Sequence, residues 1–163
     1  MSIAVYAGSF DPPTLGHVDV IQRVLPLFEE LHLVVAVNSE KKGLFLPEER
    51  VALLEEIFND GGKIPGNLKI VATPGLIVNY CREVGAKVLI RGIRAVSDFE
   101  KEFQISCTNK ILAPEIESLH IMTDRRYSFV SSSLIKEVAL HHDDLSEFVP
   151  KNVEKKLLEK IRS

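Results

Sequence analysis

A doubly wound α/β fold is predicted for this 163-residue chain by three observations. Short runs of Val, Ile and Leu alternate with amphipathic stretches of helical spacing along most of its length. The runs lack polar alternation, as strands do in a parallel sheet covered on both faces. The first run, Ile3–Tyr6, breaks straight into Gly8-Ser9-Phe10-Asp11-Pro12-Pro13, ahead of a helix-like segment that Gly16 and His17 open.

The elements follow in order. After the strand Ile3–Tyr6, residues Val18, Val20, Ile21, Val24, Leu25 and Phe28 give an apolar helical face over 17–30. Pro26 lies inside that pattern and predicts a kink or break. Leu31–Val37 reads as the second strand. Leu46-Pro47-Glu48-Glu49 reads as a helix start, with proline near the first position and acids in the first turn, leading into a helix over 48–59. The glycine-rich run Asp60–Asn67 is a turn region and not a domain boundary, because neither flank could fold alone. Strands at Leu68–Val71, Lys87–Ile90 and Ser118–Met122 alternate with helices over 76–84 and 96–112, and two more helices follow over 132–141 and 151–162. The last carries Val153, Leu157, Leu158 and Ile161 on one face. The expectation is one domain over 1–163: a Rossmann-like, doubly wound, five-stranded parallel sheet with helices on both faces and a C-terminal helical segment. Ligands should bind at the strand carboxyl ends, where strand order reverses.

Composition narrows the function. A net charge of −3 argues against a general nucleic-acid or membrane binder. Cys81 and Cys107 belong to no Cys-x-x-Cys pair and are expected to be buried, reduced thiols. The N-terminus shows neither the basic region nor the long apolar run of a signal peptide, and no stretch reaches the ~18 apolar residues of a membrane span. A cytoplasmic protein is expected.

Four polar clusters follow strands or open helices, so the fold should gather them in one cleft. Gly8-Ser9-Phe10-Asp11 with Gly16-His17 combines a tight turn, a helix start, a hydroxyl and an imidazole, the ingredients of a phosphate site. A lone histidine there would be a helix cap, but the preceding glycine, strand and prolyl loop favour a role in chemistry. Ser39-Glu40-Lys41-Lys42-Gly43 follows the second strand and offers two lysines. Ile90-Arg91-Gly92-Ile93-Arg94 follows the fourth, and its arginines suit an anion clamp. Tyr127-Ser128-Phe129-Val130-Ser131-Ser132-Ser133 supplies more hydroxyls at a helix start than a single cap needs. His32, His120, His141 and His142 show no metal-ligand spacing, so no protein-built metal site is expected; Asp143-Asp144 reads as a solvated loop. The chain has no Gly-x-Gly-x-x-Gly and no Walker loop, which argues against a dehydrogenase or an ordinary ATPase.

Gly8-Ser9-Phe10-Asp11-Pro12 with Thr14-Leu15-Gly16-His17 resembles the nucleotidyltransferase signature. Ile90–Ala95, Asp98-Phe99-Glu100 and Ser131–Val138 narrow the resemblance to the bacterial phosphopantetheine adenylyltransferases, over nearly the whole chain. The resemblance implies reversible adenylyl transfer from ATP to 4′-phosphopantetheine with Mg²⁺, giving dephospho-coenzyme A and pyrophosphate in coenzyme A synthesis. It implies that Ser9 and Phe10 contact the nucleotide, that Ser9 also contacts the acceptor phosphate, and that His17 holds the α-phosphate. Lys41 and Arg91 would bind the acceptor phosphate, and Ile77 would line the pantetheine groove. Gly92, Ile93, Arg94, Glu102 and the run Tyr127, Ser128, Phe129, Val130, Ser131, Ser132 and Ser133 would bind ATP. A homohexamer inhibited by coenzyme A is implied as well. Ser9 stands where many members carry Thr, and Lys101 occupies a position often aromatic in relatives.

The expected chemistry needs no general base. The attacking phosphate monoester has its second pKa at ~6 and is largely dianionic at neutral pH. What the reaction lacks is charge neutralisation and in-line alignment, which His17, Ser9, Lys41, Arg91 and Arg94 could supply. A transferase acting on nicotinamide mononucleotide, or on glycerol phosphate with CTP, would share the first motif. A non-catalytic sensor of nucleotide or coenzyme A would not need His17.

Overall fold

The structure is a computed structural model that describes residues 2–38, 42–59 and 61–163. Five strands, β1 (Ile3–Gly8), β2 (Glu30–Val37), β3 (Leu68–Pro74), β4 (Val88–Ile93) and β5 (Glu117–Met122), form one parallel sheet in the order β3-β2-β1-β4-β5. Strand order reverses between β1 and β4. Their carboxyl ends therefore flank the crevice in which open α/β sheets bind ligands.

The helices are α1 (Leu15–Val24), α2 (Pro47–Phe58), α3 (Ile77–Val84), α4 (Val96–Leu112), α5 (Ser132–Val138) and α6 (Lys151–Arg162). Alternation along β1 divides the core. Ala4 and Tyr6 pack with Val20, Ile21 and Val24 of α1 and Leu54 of α2, while Val5 and Ala7 pack with Val78 and Cys81 of α3. A third cluster joins Leu53 of α2 to Ile135 of α5 and Val153 and Leu157 of α6. No helix among the described residues is long and apolar enough to cross a membrane.

The predicted five parallel strands and alternating helices are all present; β1, β3 and β4 run two or three residues further than predicted, α5 ends three residues earlier, and the largest change is in α1. The helix expected over 17–30 spans only Leu15–Val24, and Pro26 sits in a 3-10 turn, Leu25–Leu27. Proline offers no N–H to continue the helix ladder; Leu25 keeps α geometry, and the chain passes through the 3-10 turn before it becomes extended at Phe28 and enters β2. Asp143 and Asp144 lie in an exposed loop, where Asp143 pairs with Arg162 and Asp144 accepts from Ser146, in keeping with the solvated-loop reading.

Cys81 is buried as expected, but Cys107 is exposed. Among its described residues α4 buries only Glu102. At 3.6 residues per turn, Cys107 lies about 140° around the helix from that carboxylate. The buried reading of Cys107 is therefore corrected for the isolated chain.

Candidate active site

The crevice at the ends of β1 and β4 is a cavity of about 360 Å³. Ser9, His17, Arg91, Gly92, Arg94, Glu102 and Val130–Ser133 line it, so most of the predicted cluster converges. Others stand behind it. Phe10 is fully buried, its ring edge-on to Tyr6 and His17, and it forms no part of the cavity wall. Ile93 is buried too. Ile77 opens α3, and Tyr127, Ser128 and Phe129 lead to the serine run outside the wall of this cavity. Lys41, with Ser39 and Glu40, lies outside the described residues.

His17 is held from its own helix start. Thr14 caps α1, the Thr14 N–H donates to His17 Nδ1 at 3.0 Å, and Thr14 Oγ1 lies 3.0 Å from the same nitrogen. An N–H donor obliges Nδ1 to accept, so the ring proton of the neutral imidazole sits on Nε2. Burial, aided by the nearby Arg94 and Arg91 charges, pushes the His17 pKa down to about 4. The site thus presents a neutral imidazole with an N–H donor, not an imidazolium and not a base.

The two arginines share one wiring. Arg91 meets Glu102 through Nε at 2.7 Å and Nη2 at 2.8 Å, and its Nη1 donates to the Ala7 carbonyl at 2.9 Å. Arg94 meets Asp98 through Nε and Nη2, both at 3.0 Å, and its Nη1 donates to the Val130 carbonyl at 3.0 Å. Asp98 and Glu102 are one helical turn apart on α4, so one helix face orients both guanidinium groups. Each arginine engages three of its five N–H hydrogens in this way, which leaves two for an anion. Burial opposes the charge on Asp98, but Arg94 holds its carboxyl below the usual range. For Arg91, burial works against the charge and Glu102 overcomes it, raising the pKa.

Gly92 lies between these arginines because nothing larger fits comfortably. A Cβ there would stand 3.2 Å from the Tyr6 hydroxyl. The serine run is more committed than its hydroxyl count suggests. Ser131 caps α5 by accepting from the Leu134 N–H, and Ser132 Oγ donates to the Pro12 carbonyl at 2.8 Å. Ser133 stays exposed. An anion at this end would use Ser133 together with first-turn backbone N–H groups.

Sequence reasoning gave no role to Thr14, Ser97, Asp98 or Thr123, which also line the cavity, as does Lys101. Thr14 was detectable as a threonine three residues before a polar N3 residue. Asp98 stood in the motif Asp98-Phe99-Glu100, and its spacing of four from Glu102 was the signal for a shared helix face. Among the described residues no group of His, Cys, Asp and Glu could hold a metal ion.

Comparison with known proteins agrees with this architecture. The cytidylyltransferase-like family model matches residues 5–138. Phosphopantetheine adenylyltransferase of Leptospira biflexa is 52% identical over 160 residues, covering 98% of each chain. That of Staphylococcus carnosus is also 52% identical, covering 98% of this chain and 97% of its own. Among solved structures, Plasmodium falciparum nicotinic acid mononucleotide adenylyltransferase complexed with NaAD superposes with a TM-score of 0.68 at 15% identity, over 99% of this chain and 94% of that one. A lipopolysaccharide core biosynthesis protein of Thermoplasma volcanium gives 0.54 at 21% identity, over 76% and 98%. These two share the fold. Identity over nearly the full length with the first two relatives, together with the family match, places the chain in the phosphopantetheine adenylyltransferase family of cytidylyltransferase-like nucleotidyltransferases.

Proposed function

We propose that this cleft transfers the adenylyl group of ATP reversibly to 4′-phosphopantetheine, giving dephospho-coenzyme A and pyrophosphate in coenzyme A synthesis. The observation that carries the mechanism is a neutral His17 beside Arg91 and Arg94, in a cleft whose two carboxylates are both committed to those arginines. Such a site has no spare base and needs none, because the acceptor phosphate is already an anion. Its task is to align two anions and stabilise charge at phosphorus.

The division of labour follows from the wiring. His17 donates through Nε2 to the α-phosphate as charge builds. Arg91, pre-oriented by Glu102, meets the acceptor phosphate with its remaining N–H groups, together with Ser9 and Lys41. Arg94, Ser133 and the backbone at the start of α5 meet the β- and γ-phosphates, the departing pyrophosphate. The nucleotide contacts continue through the backbone of Phe10, Gly92 and Ile93, through Glu102, and along Tyr127–Ser132; Ile77 lines the pantetheine arm.

Mg²⁺ belongs to this reading as a partner of the nucleotide. Asp98 and Glu102 are held by arginines, so the cleft's donor set does not fit a protein-built magnesium site. The ion would keep phosphate and water oxygens as ligands and neutralise phosphate charge. A cytoplasmic location and inhibition by coenzyme A complete the proposal.

Self-association also belongs to it. Val96, Phe99, Phe103 and Ile111 of α4 are all exposed, and with Cys107 they form one stripe at spacings of three and four residues. The stripe faces away from Asp98 and Glu102. We assign it to contact with other copies of this chain in a homohexamer.

Pyrophosphate release tests the reaction: ATP and Mg²⁺ with 4′-phosphopantetheine, beside nicotinamide mononucleotide, and beside glycerol phosphate with CTP. Release with the first acceptor alone, matched by dephospho-coenzyme A, is expected. Release with another acceptor only would overturn the assignment, and ATP binding without release in any arm would indicate a sensor.

A further inference from the structure

Asp11 is buried, and four groups from three other parts of the chain converge on its carboxylate. The Phe45 N–H donates to Oδ1 and the Leu44 N–H to Oδ2, each at 2.9 Å. Lys136 Nζ of α5 lies 3.2 Å from Oδ2, and Arg50 Nε of α2 lies 3.5 Å from Oδ1. Burial alone would raise the pKa of this carboxyl; the two N–H groups, Lys136 and Arg50 more than reverse that and lower it.

Arg50 carries the network to the cleft. Its Nε donates to the Phe45 carbonyl at 2.8 Å and its Nη1 to the Ser9 carbonyl at 3.2 Å. Gly43 lies flat on this pair: a Cβ there would come 1.8 Å from Arg50 Nη2 and 3.2 Å from Asp11 Oδ2. On the opposite side, Ser132 Oγ ties α5 to the Pro12 carbonyl. The loop bearing Ser9 is therefore clamped between residues 43–45 and α5, with Asp11 at the centre of both contacts.

We propose that Asp11 is a positioning residue that sets Ser9, on the β1 loop, in register with the serine-rich start of α5. The proposal rests on the adenylyl-transfer reading, since those two elements then grip opposite reactants. In-line transfer is sensitive to sub-ångström placement, so loosening the clamp should lower turnover more than it weakens ground-state binding.

Lys136→Met removes one tie and leaves the backbone donors on Asp11 in place. Its kcat is expected to fall about 10-fold, while the Kd for ATP, measured by calorimetry, stays within about threefold of wild type; Lys136→Arg should recover most of the loss. Asp11→Asn places an NH₂ against one backbone N–H and one cation, whichever way the amide turns, and should lower kcat by about 10²-fold. Thermal unfolding of each variant separates placement from loss of fold. A folded Lys136→Met or Asp11→Asn enzyme with wild-type kcat would overturn the positioning role, as would kcat losses that only track unfolding. Wild type run alongside isolates the other reading, for an inert wild type overturns the acceptor assignment.

Discussion

The backbone N–H of Thr14 donates to His17 Nδ1 across 3.0 Å, and that bond decides which imidazole nitrogen carries the proton. A side-chain partner could rotate away or change protonation; a peptide N–H can only donate. The first prediction is therefore spectroscopic. At pH 7, ¹⁵N NMR should show His17 neutral with its proton on Nε2, and titrating near pH 4. Its pKa is lowered in the folded chain from 6.5 to about 4, so the unfolded chain binds the extra proton between those values. The stability contributed by neutral His17 is complete above about pH 6.5 and is lost as pH falls toward about 4. At about 1.4 kcal/mol per pH unit, wild type should lose about 2 kcal/mol more than His17→Gln between pH 7.5 and 5 in urea unfolding. An equal loss in both proteins would refute the depressed pKa.

His17→Ala should fold and lose turnover by ~10²–10³, the scale for deleting one transition-state donor. Thr14→Ala separates orientation from chemistry. It removes the cap, worth ~1 kcal/mol, but keeps the backbone N–H on Nδ1. Its kcat should fall by no more than about 10-fold. A Thr14→Ala loss as large as that of His17→Ala would mean that the hydroxyl, and not the peptide N–H, holds the ring.

Arg91→Ala should chiefly weaken acceptor binding, read as KM for 4′-phosphopantetheine. Glu102→Gln should do part of the same damage at a distance, because a neutral amide accepts through one oxygen and cannot match the fork of Arg91. The double variant should be little worse than Arg91→Ala alone if Glu102 acts through Arg91. Additive losses in that KM would show that Glu102 also reaches the acceptor without Arg91.

Gly92→Ala tests the close approach at the fourth strand. Its Cβ would press on the Tyr6 hydroxyl at 3.2 Å and displace the strand that carries Arg91 and Arg94. Overpacking of this kind costs about 1–3 kcal/mol, and kcat should fall with the melting temperature. Tyr6→Phe removes the obstructing oxygen and should restore much of both losses in the double variant. Without such recovery, the Tyr6 hydroxyl would not be what keeps a side chain out of position 92.

Much of this was legible in the chain. Unbroken Val, Ile and Leu runs announced buried parallel strands, and Pro26 announced the end of α1. Arg91 and Arg94 could be placed at the crevice because they close the apolar run of the fourth strand, although β4 continues through Arg91 to Ile93. Their carboxylate partners could not: i and i+4 spacing says that Asp98 and Glu102 share a helix face, but the packing of α4 on the sheet decides what that face meets. The serine run misled by its count, since two of its hydroxyls serve the protein's own backbone. Asp11 gave no local signal, for its partners lie 33 to 125 residues away.

Cys107 joins the missed features to a last prediction. It was expected inside as an unpaired, reduced thiol, and it is exposed because it falls on the apolar stripe of α4, which one chain gives nothing to pack against. Phe99 and Phe103 stack on each other with ring centroids 5.9 Å apart, and both remain half exposed. Covering them with another copy would remove a large apolar area from water, at roughly 25 cal/mol per Å². Phe103→Glu puts a charge in that contact while leaving Asp98 and Glu102 facing the cleft. Sedimentation should show wild type as a hexamer and Phe103→Glu as smaller species, with Cys107 reacting faster with a thiol reagent in the variant. A wild-type monomer would overturn the assignment of the stripe to self-contact, and a hexameric Phe103→Glu with unchanged Cys107 reactivity would place the interface elsewhere.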